Sequence, residues 1–267
     1  TRTVTATTPT VSIPTKLKGE ITFACFSNDP KDRTYKWIKW ACEEFEKRTG
    51  ARVNFQPYPH EEFKVKIKAL LISESPPDIV TWFSGMRMYD PFVKDKLVMD
   101  VTDVWKKYNI YDKLYPAAVT TVTFDGKQYG LPTTASPVAV AYNKSVFKEA
   151  GITKFPTTWD ELKKTCEMLQ EIGVTPFTIG TRYKWPAAGF WDVLDLRING
   201  LDFHLDLLSY GKYPWTDNRV REVFEKWSEL LPYFEKNHAA YAWDEVVPFL
   251  VEGKAGMYVM GEWIYFA

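Results

Sequence analysis

The chain has 267 residues, and its 34 Lys and Arg balance 34 Asp and Glu to a formal net charge of zero. Charges of both signs are interspersed, which disfavours a nucleic-acid partner, because nucleic acids are bound through clustered basic surfaces. A chain of this length usually exceeds what one hydrophobic core supports, so we expect one large or two smaller α/β units.

Cysteine and histidine spacing indicates neither a metal site nor a redox motif. Cys25, Cys42 and Cys166 form no CxxC pair and the chain has only 3 histidines, so we expect no metal and no cofactor. Cys25 and Cys42 could form a disulfide, but three buried free thiols are the favoured interpretation. No run of about 18 apolar residues occurs, so no membrane-spanning helix is predicted.

The first segment, residues 1–17, is rich in Thr and contains Pro9 and Pro14. Such a composition cannot bury a core and predicts an extended tether. A tether ahead of a globular body suggests a mature protein held off a surface, although an artificial leader would look the same.

Residues 18–131 are predicted to form a first α/β lobe. The predicted strands cover residues 21–26, 52–56 and 78–82. Helices between them complete a β-α-β-α-β order, which builds a mostly parallel sheet. In the first helix, Trp37 and Trp40 fall at helical spacing with Ala41 and are expected in the core.

Candidate binding residues follow the first and third strands of this lobe, because ligands bind outside the carboxyl ends of the strands in open α/β sheets. They are Ser27, Asn28, Trp82, Ser84 and Arg87. After the third strand, the residues 82–87 read WFSGMR. Aromatic, small and basic residues in this order are typical of the wall of a shallow binding site. A Trp82 that caps the end of the sheet is an equally supported alternative.

Residues 124–144 are interpreted as a crossing between two lobes. Asp125-Gly126 between apolar residues predicts a tight hairpin. The apolar run at 137–142 predicts a strand buried on both faces. A cleft would form at such a crossing. The preceding residues 97–105 are predicted as surface helix and loop.

Residues 132–267 are predicted to form the crossing strand and a second α/β lobe. Thr158 and Glu161 make a capping box at the start of one helix, and an exposed Trp185 is predicted in a loop. Trp263 follows the last strand. The predicted helices cover 144–149, 158–173, 190–198, 218–231 and 242–251, and the strands cover 137–142, 175–179 and 255–259.

Five stretches together resemble the extracellular solute-binding proteins of carbohydrate ABC importers, the maltose-binding-protein-like group. They read PPDIVTWFSG, LVMDVTD, DGKQYGLPTTASPVAVAYNKSVFKEAGI, FPTTWDELK and VEGKAGMYVMGEW. The resemblance covers residues 18–267 and implies a periplasmic-binding-protein-like α/β fold, in which hinge strands join two lobes that close on a sugar. Family members continue past this point, so we expect a second lobe that is incomplete here, with a further segment or a second chain completing it.

The resemblance also implies site residues. Trp82 matches a cleft aromatic, and Arg87 falls near a polar sugar-contacting position. Ser136 stands where the maltose binder has an acidic residue, which argues against maltodextrin as the ligand. Trp185 lies close to a second aromatic position, and Trp263 matches a sugar-stacking Trp. Polar groups that could add hydrogen bonds stand at Ser27, Asn28 and Ser84.

The expected function is sugar binding in the cleft and delivery to a membrane ABC permease, without catalysis. The same fold could instead hold a polyamine, an amino acid or a metal complex, although the aromatic candidates favour sugar. A secreted carbohydrate-active enzyme is a further alternative, but no pair of carboxylates stands out and no GxSxG, P-loop or GxGxxG occurs. We expect a monomer, extracellular or periplasmic, tethered to the membrane through its N-terminal segment.

Overall fold

The computed structural model describes residues 16–266 and contains both strands and helices. The strands are β1 (Glu20–Cys25), β2 (Arg52–Pro57), β3 (Ile79–Val80), β4 (Thr123–Phe124), β5 (Lys127–Gln128), β6 (Val138–Tyr142), β7 (Thr175–Phe177) and β8 (Ala255–Gly261). The α-helices are α1 (Arg33–Thr49), α2 (His60–Leu71), α3 (Met86–Met88), α4 (Thr102–Lys107), α5 (Pro116–Thr120), α6 (Lys144–Glu149), α7 (Trp159–Glu171), α8 (Trp185–Ile198), α9 (Gly200–Leu208), α10 (Asn218–Leu230) and α11 (Val247–Val251). Short 3-10 or π turns lie at Tyr89–Val93, Tyr111–Lys113, Leu231–Tyr233, His238–Ala240 and Glu262–Phe266.

The chain divides into two compact units between Ala135 and Ser136. The domain boundary and hinge expected at residues 131 and 132 stay a prediction. Of the expected tether, residues 1–15 lie outside the described residues. Leu17 belongs to the first unit, because its backbone N–H donates to the Thr49 carbonyl at 2.7 Å.

The first unit is built on a three-stranded sheet with β1 in the middle, parallel to β2 on one side and to β3 on the other. The helices α1 and α2 connect these strands, which confirms the predicted β-α-β-α-β order. Ala24 of β1 lies in a buried core with Phe63 and Ile67 of α2 and with Phe92.

The inward face of α1 differs from the prediction. Trp37 and Trp40, expected in the core, are 47% and 57% exposed. Ile38 and Cys42 are buried instead, four residues apart on one face. Phe45 falls at helical spacing with Trp37 and also with Ile38, so the apolar residues of α1 define two possible buried faces about 100° apart. Packing against β1 and β2 buries the face that carries the smaller side chains, Ile38 and Cys42.

The segment 97–105, predicted at the surface, reaches the core. Trp105 on α4 is fully buried, and its indole N–H donates to the Gly130 carbonyl at 3.0 Å. A buried tryptophan needs such a partner for its N–H. The surface prediction is therefore wrong for Trp105, which lies in the core of the first unit.

The predicted Asp125-Gly126 hairpin is confirmed. Thr123 pairs with Gln128 and Phe124 with Lys127 in an antiparallel ladder. Both turn residues have positive φ, 51° for Asp125 and 74° for Gly126, as the two central residues of a type I′ turn require.

The second unit is built on a sheet of order β6-β8-β7, with β8 antiparallel to β6 and parallel to β7. All seven residues of β8 are buried. The strand β6, expected to be buried on both faces, is half-exposed, and Val138 is 49% exposed. Within the described part of the chain β6 pairs with β8 alone, so it is an edge strand.

The helices of the second unit agree with the prediction in part. The Thr158–Glu161 capping box is present at the start of α7, and α10 matches the predicted helix. The predicted helix at 242–251 is helical only over Val247–Val251. The helix α9 was not predicted, because the Asn199-Gly200 pair reads as a helix end, yet the chain starts a new helix at Gly200.

Candidate functional site

In the first unit, the predicted residues lie at the edge of the sheet where β1 and β3 end. The two strands are parallel, so their carboxyl ends share one edge. The Thr81 side chain joins the segments that follow them, because its Oγ1 accepts a hydrogen bond from the Phe26 N–H at 2.9 Å. The structure therefore brings Ser27 and Trp82 to the same edge, as predicted.

Trp82 is anchored within the first unit. Its indole N–H donates to the Arg87 carbonyl at 2.8 Å, and its ring meets Phe83 and Phe92 edge-on, each with centroids 5.2 Å apart. These contacts support the alternative in which Trp82 caps the end of the sheet. Trp82 is partly buried against the core of the first unit. Its role as a ligand contact stays a prediction and would use the part of the ring that is not buried.

An aromatic stack that the sequence did not reveal lies beside Trp82. Phe26, His60 and Phe83 come from three separate segments and stack on one another, with ring centroids 5.2 to 5.8 Å apart. The Arg87 guanidinium lies over the Phe83 ring, 5.3 Å from its centroid. The sequence feature that could have drawn attention to this stack is the rarity of histidine, since His60 is one of only 3 in the chain.

The polar candidates of the first unit differ in exposure. Asn28, Ser84 and Arg87 are exposed. Ser27 is only 8% exposed, which places it inside the fold and argues against a direct ligand contact.

In the second unit, three predicted residues come together at one edge of the sheet. The strands β7 and β8 are parallel and end there, and the antiparallel β6 begins there. Ser136 precedes β6, and its hydroxyl donates to Glu262 Oε1 at 3.0 Å. The rings of Trp185 and Trp263 lie 6.3 Å apart at 53°. Glu262 belongs to this site but was not predicted as a ligand contact.

A third tryptophan, Trp243, joins this cluster. Its ring centroid lies 6.3 Å from that of Trp185 at 54°, and its carbonyl accepts a hydrogen bond from the Tyr258 hydroxyl at 2.9 Å. Trp243 was not among the predicted site residues, because it lies in a segment that was predicted as an amphipathic helix. We use the name tryptophan cluster for Trp185, Trp243 and Trp263.

The loop before α8 positions Trp185. Arg182 ties this loop to the segment before α11, since its backbone N–H donates to the Tyr241 carbonyl at 2.9 Å and its guanidinium pairs with Glu245 at 3.0 Å. Lys184 then adopts a left-handed φ of 63° and turns the chain into the helix. Trp185 is half-buried as the first residue of α8, so the prediction of an exposed loop residue is wrong.

Burial shifts the pKa of one titratable group at the first edge and of one beside the tryptophan cluster. Burial against the neighbouring rings lowers the pKa of His60 below its ordinary value of 6.5, with a smaller effect from Lys64. Burial raises the pKa of Tyr258, so its hydroxyl stays a neutral donor. Among residues 16–266, no group of three His, Cys, Asp or Glu side chains is placed to hold a metal ion, and no helix is long and apolar enough to cross a membrane.

Residues 28–267 match the bacterial extracellular solute-binding protein family. The match covers most of the chain, which therefore belongs to this family and has its α/β periplasmic-binding fold, as the resemblance implied. The matched family is one of solute-binding proteins.

Individual relatives agree with this assignment. An uncharacterized ABC transporter extracellular-binding protein of Pyrococcus horikoshii is 30% identical over 203 residues, which is 75% of this chain and 45% of the relative. A protein of Rhizobium meliloti described as a probable sugar-binding periplasmic protein is 30% identical over 161 residues, 57% of this chain and 37% of its own.

Among solved structures, the bacterial solute receptor AcbH superimposes with a TM-score of 0.83 at 30% identity, covering 93% of this chain and 62% of AcbH. AcbH is described as having an exclusive substrate preference for β-D-galactopyranose. The chain thus spans less than two thirds of the length of each of these three relatives.

Proposed function

We propose that this protein binds a sugar and passes it to a membrane ABC permease without changing it chemically. The observation that carries the proposal is the tryptophan cluster beside the Ser136–Glu262 hydrogen bond, at one sheet edge of a solute-binding fold. A sugar presents apolar C–H faces and a rim of hydroxyls, so it needs flat aromatic surface next to groups that form hydrogen bonds.

Each edge supplies both kinds of contact. In the second unit, the indoles of Trp185 and Trp263 offer the flat surface, and Ser136 and Glu262 offer the polar groups. In the first unit, Phe83 and Trp82 are accompanied by Arg87. Each hydrogen bond contributes about 1 kcal/mol, and a wrong sugar would leave one of these groups unpaired. AcbH, at 30% identity, is described as binding a galactopyranose, which supports a sugar as the ligand class.

We also propose that the protein acts as a monomer outside the cytoplasm and is held at the membrane through its N-terminal segment. It has no catalytic activity, no cofactor and no nucleic-acid partner. The aromatic edges favour sugar over the alternative ligands, a polyamine, an amino acid or a metal complex.

Calorimetry against a panel of ligands tests the proposal. The panel contains galactose, xylo-oligosaccharides, chito-oligosaccharides and raffinose, with spermidine and amino acids as competing classes. We expect saturable binding of at least one sugar, and chromatography should recover that sugar intact. Binding of spermidine or an amino acid alone, or a hydrolysed sugar, would contradict the proposal.

A substitution in the tryptophan cluster tests whether these rings contact the sugar. Trp263→Ala should weaken sugar binding by about 1 to 3 kcal/mol, the range of aromatic hot spots. Because Trp263 packs partly against the core of the second unit, some loss of stability should accompany it. Trp40→Ala is the matched control, since Trp40 is 57% exposed on α1 and should affect neither binding nor stability strongly.

A further inference from the structure

His60 occupies an unusual place at the edge of the first unit. As the first residue of α2, it stacks on Phe26, which follows β1, at 5.2 Å and on Phe83, which follows β3, at 5.8 Å. Phe26 and Phe83 also stack on each other at 5.5 Å with their planes only 7° apart. One imidazole therefore contacts both segments that carry the predicted binding residues of this unit.

The polar part of this ring is poorly accommodated. Its Nε2 is buried and has no hydrogen-bond partner within residues 16–266. Buried polar atoms are normally paired, and an unpaired one in a native fold calls for an explanation. A neutral imidazole tolerates such a place far better than an imidazolium, which would bury a charge among aromatic rings.

The charged groups around His60 come from each neighbouring element. Lys64 and Glu61 lie on its own helix, Asp32 precedes α1, and Arg87 lies on α3. Lys64 and Arg87 disfavour a proton on His60, and Glu61 and Asp32 favour one. Desolvation is the largest effect and acts with the two cations, so the neutral ring is the form that fits this site.

We propose that His60 is a positioning residue: its neutral ring holds Phe83 and Arg87 in place for the ligand, so sugar affinity falls when His60 gains a proton. The inference rests on the proposed function and adds pH regulation to the same site. Phe83 links His60 to the ligand-binding candidates, because Phe83 contacts the Trp82 ring and supports the Arg87 guanidinium. Repulsion between an imidazolium and Arg87 would disturb this arrangement.

Sugar affinity measured from about pH 8 downward tests the proposal. An unperturbed histidine titrates at a pKa of about 6.5, and burial lowers the pKa of His60 below that value, so the series extends into acid until the affinity or the fold is lost. Below the pKa of His60, each pH unit should lower the affinity by up to about tenfold. His60→Phe keeps a ring in the stack but carries no proton, so it should bind at pH 8 and lose the pH dependence. His60→Gln should bind more weakly at every pH, because it removes the ring.

A purely structural role for His60 would predict equal pH profiles for wild type and His60→Phe. That result would overturn the inference even if sugar binding itself is clear.

A measurement without ligand separates this inference from the proposed function. In NMR spectra, the amide signals of Phe83 and Arg87 should shift with the same midpoint as the His60 imidazole in wild type and stay constant in His60→Phe. Constant amide signals in wild type would refute the positioning role, whether or not any sugar binds. If the signals titrate but no sugar binds at any pH, the positioning role stands and the proposed function fails.

Discussion

The indole of Trp263 lies against Gly261, two residues earlier in the chain, and leaves no room for a Cβ at that position. Gly261→Ala should therefore displace the ring from its place beside Trp185. We expect a loss of sugar affinity of about 1 to 3 kcal/mol, as for removal of an aromatic hot spot, and a stability cost of about 1 to 3 kcal/mol from overpacking. Calorimetry and thermal unfolding measure the two effects.

Gly189→Ala is the control for this substitution. Gly189 lies within α8, and a Cβ built there meets open space. Alanine in a helix interior is more favourable than glycine by about 1 kcal/mol, so this variant should be slightly more stable and bind normally. Wild-type affinity in Gly261→Ala would show that the position of the Trp263 ring does not matter for binding.

The hydrogen bond between Ser136 and Glu262 should couple the two residues in ligand binding. Ser136→Ala removes the donor that holds the Glu262 carboxylate at 3.0 Å. We expect each single variant to lose about 1 kcal/mol of binding free energy. The double variant with Glu262→Gln should lose clearly less than the sum, because residues in contact are not additive. Strict additivity in this cycle would mean that the two side chains act separately.

Glu229 should make the second unit sensitive to acid. Its carboxylate accepts hydrogen bonds from the Trp159 indole at 2.9 Å, from Lys226 at 2.9 Å and from Lys163 at 3.1 Å. With Trp159 as the largest cause, these donors lower the pKa of Glu229 from 4.5 to about 2. The stabilisation is thus complete above the unfolded value of 4.5 and is lost as the pH falls towards 2.

The free energy of unfolding of Glu229→Gln, compared with wild type, checks this prediction. The variant should be less stable at neutral pH, and the difference should shrink as the pH is lowered below 4.5. Glu225→Gln on the same helix is the control, because Glu225 is exposed. A difference for Glu229→Gln that is independent of pH would exclude the ionised carboxylate as its cause.

All three cysteines are free and buried. Burial raises the thiol pKa of Cys42 to about 11 and that of Cys166 to about 12, and it raises that of Cys25 as well. Since the thiolate is the reactive form, the folded protein should react very slowly with a thiol reagent near neutral pH. After unfolding, three thiols should react; a single reactive thiol would reveal a Cys25–Cys42 disulfide instead.

Local signals in the sequence identified much of the fold. The Asp125-Gly126 turn and the Thr158–Glu161 capping box were both found as predicted. Each depends on the dihedral preferences or hydrogen bonds of residues no more than three positions apart, so their chemistry is legible without the rest of the molecule. The order of the five motif stretches likewise sufficed to identify the family.

Contacts between distant segments could not be predicted in this way. Both Trp40 and Ile38 fit an apolar helix face, and only packing against the sheet determined that Ile38 is inside. Ser136 meets Glu262 across 126 positions of sequence because β6 pairs with β8. His60 stacks with Phe26 and Phe83 because β1 and β3 end at one edge. Turns and caps follow from neighbouring residues, whereas the composition of each binding edge follows from which strands pair.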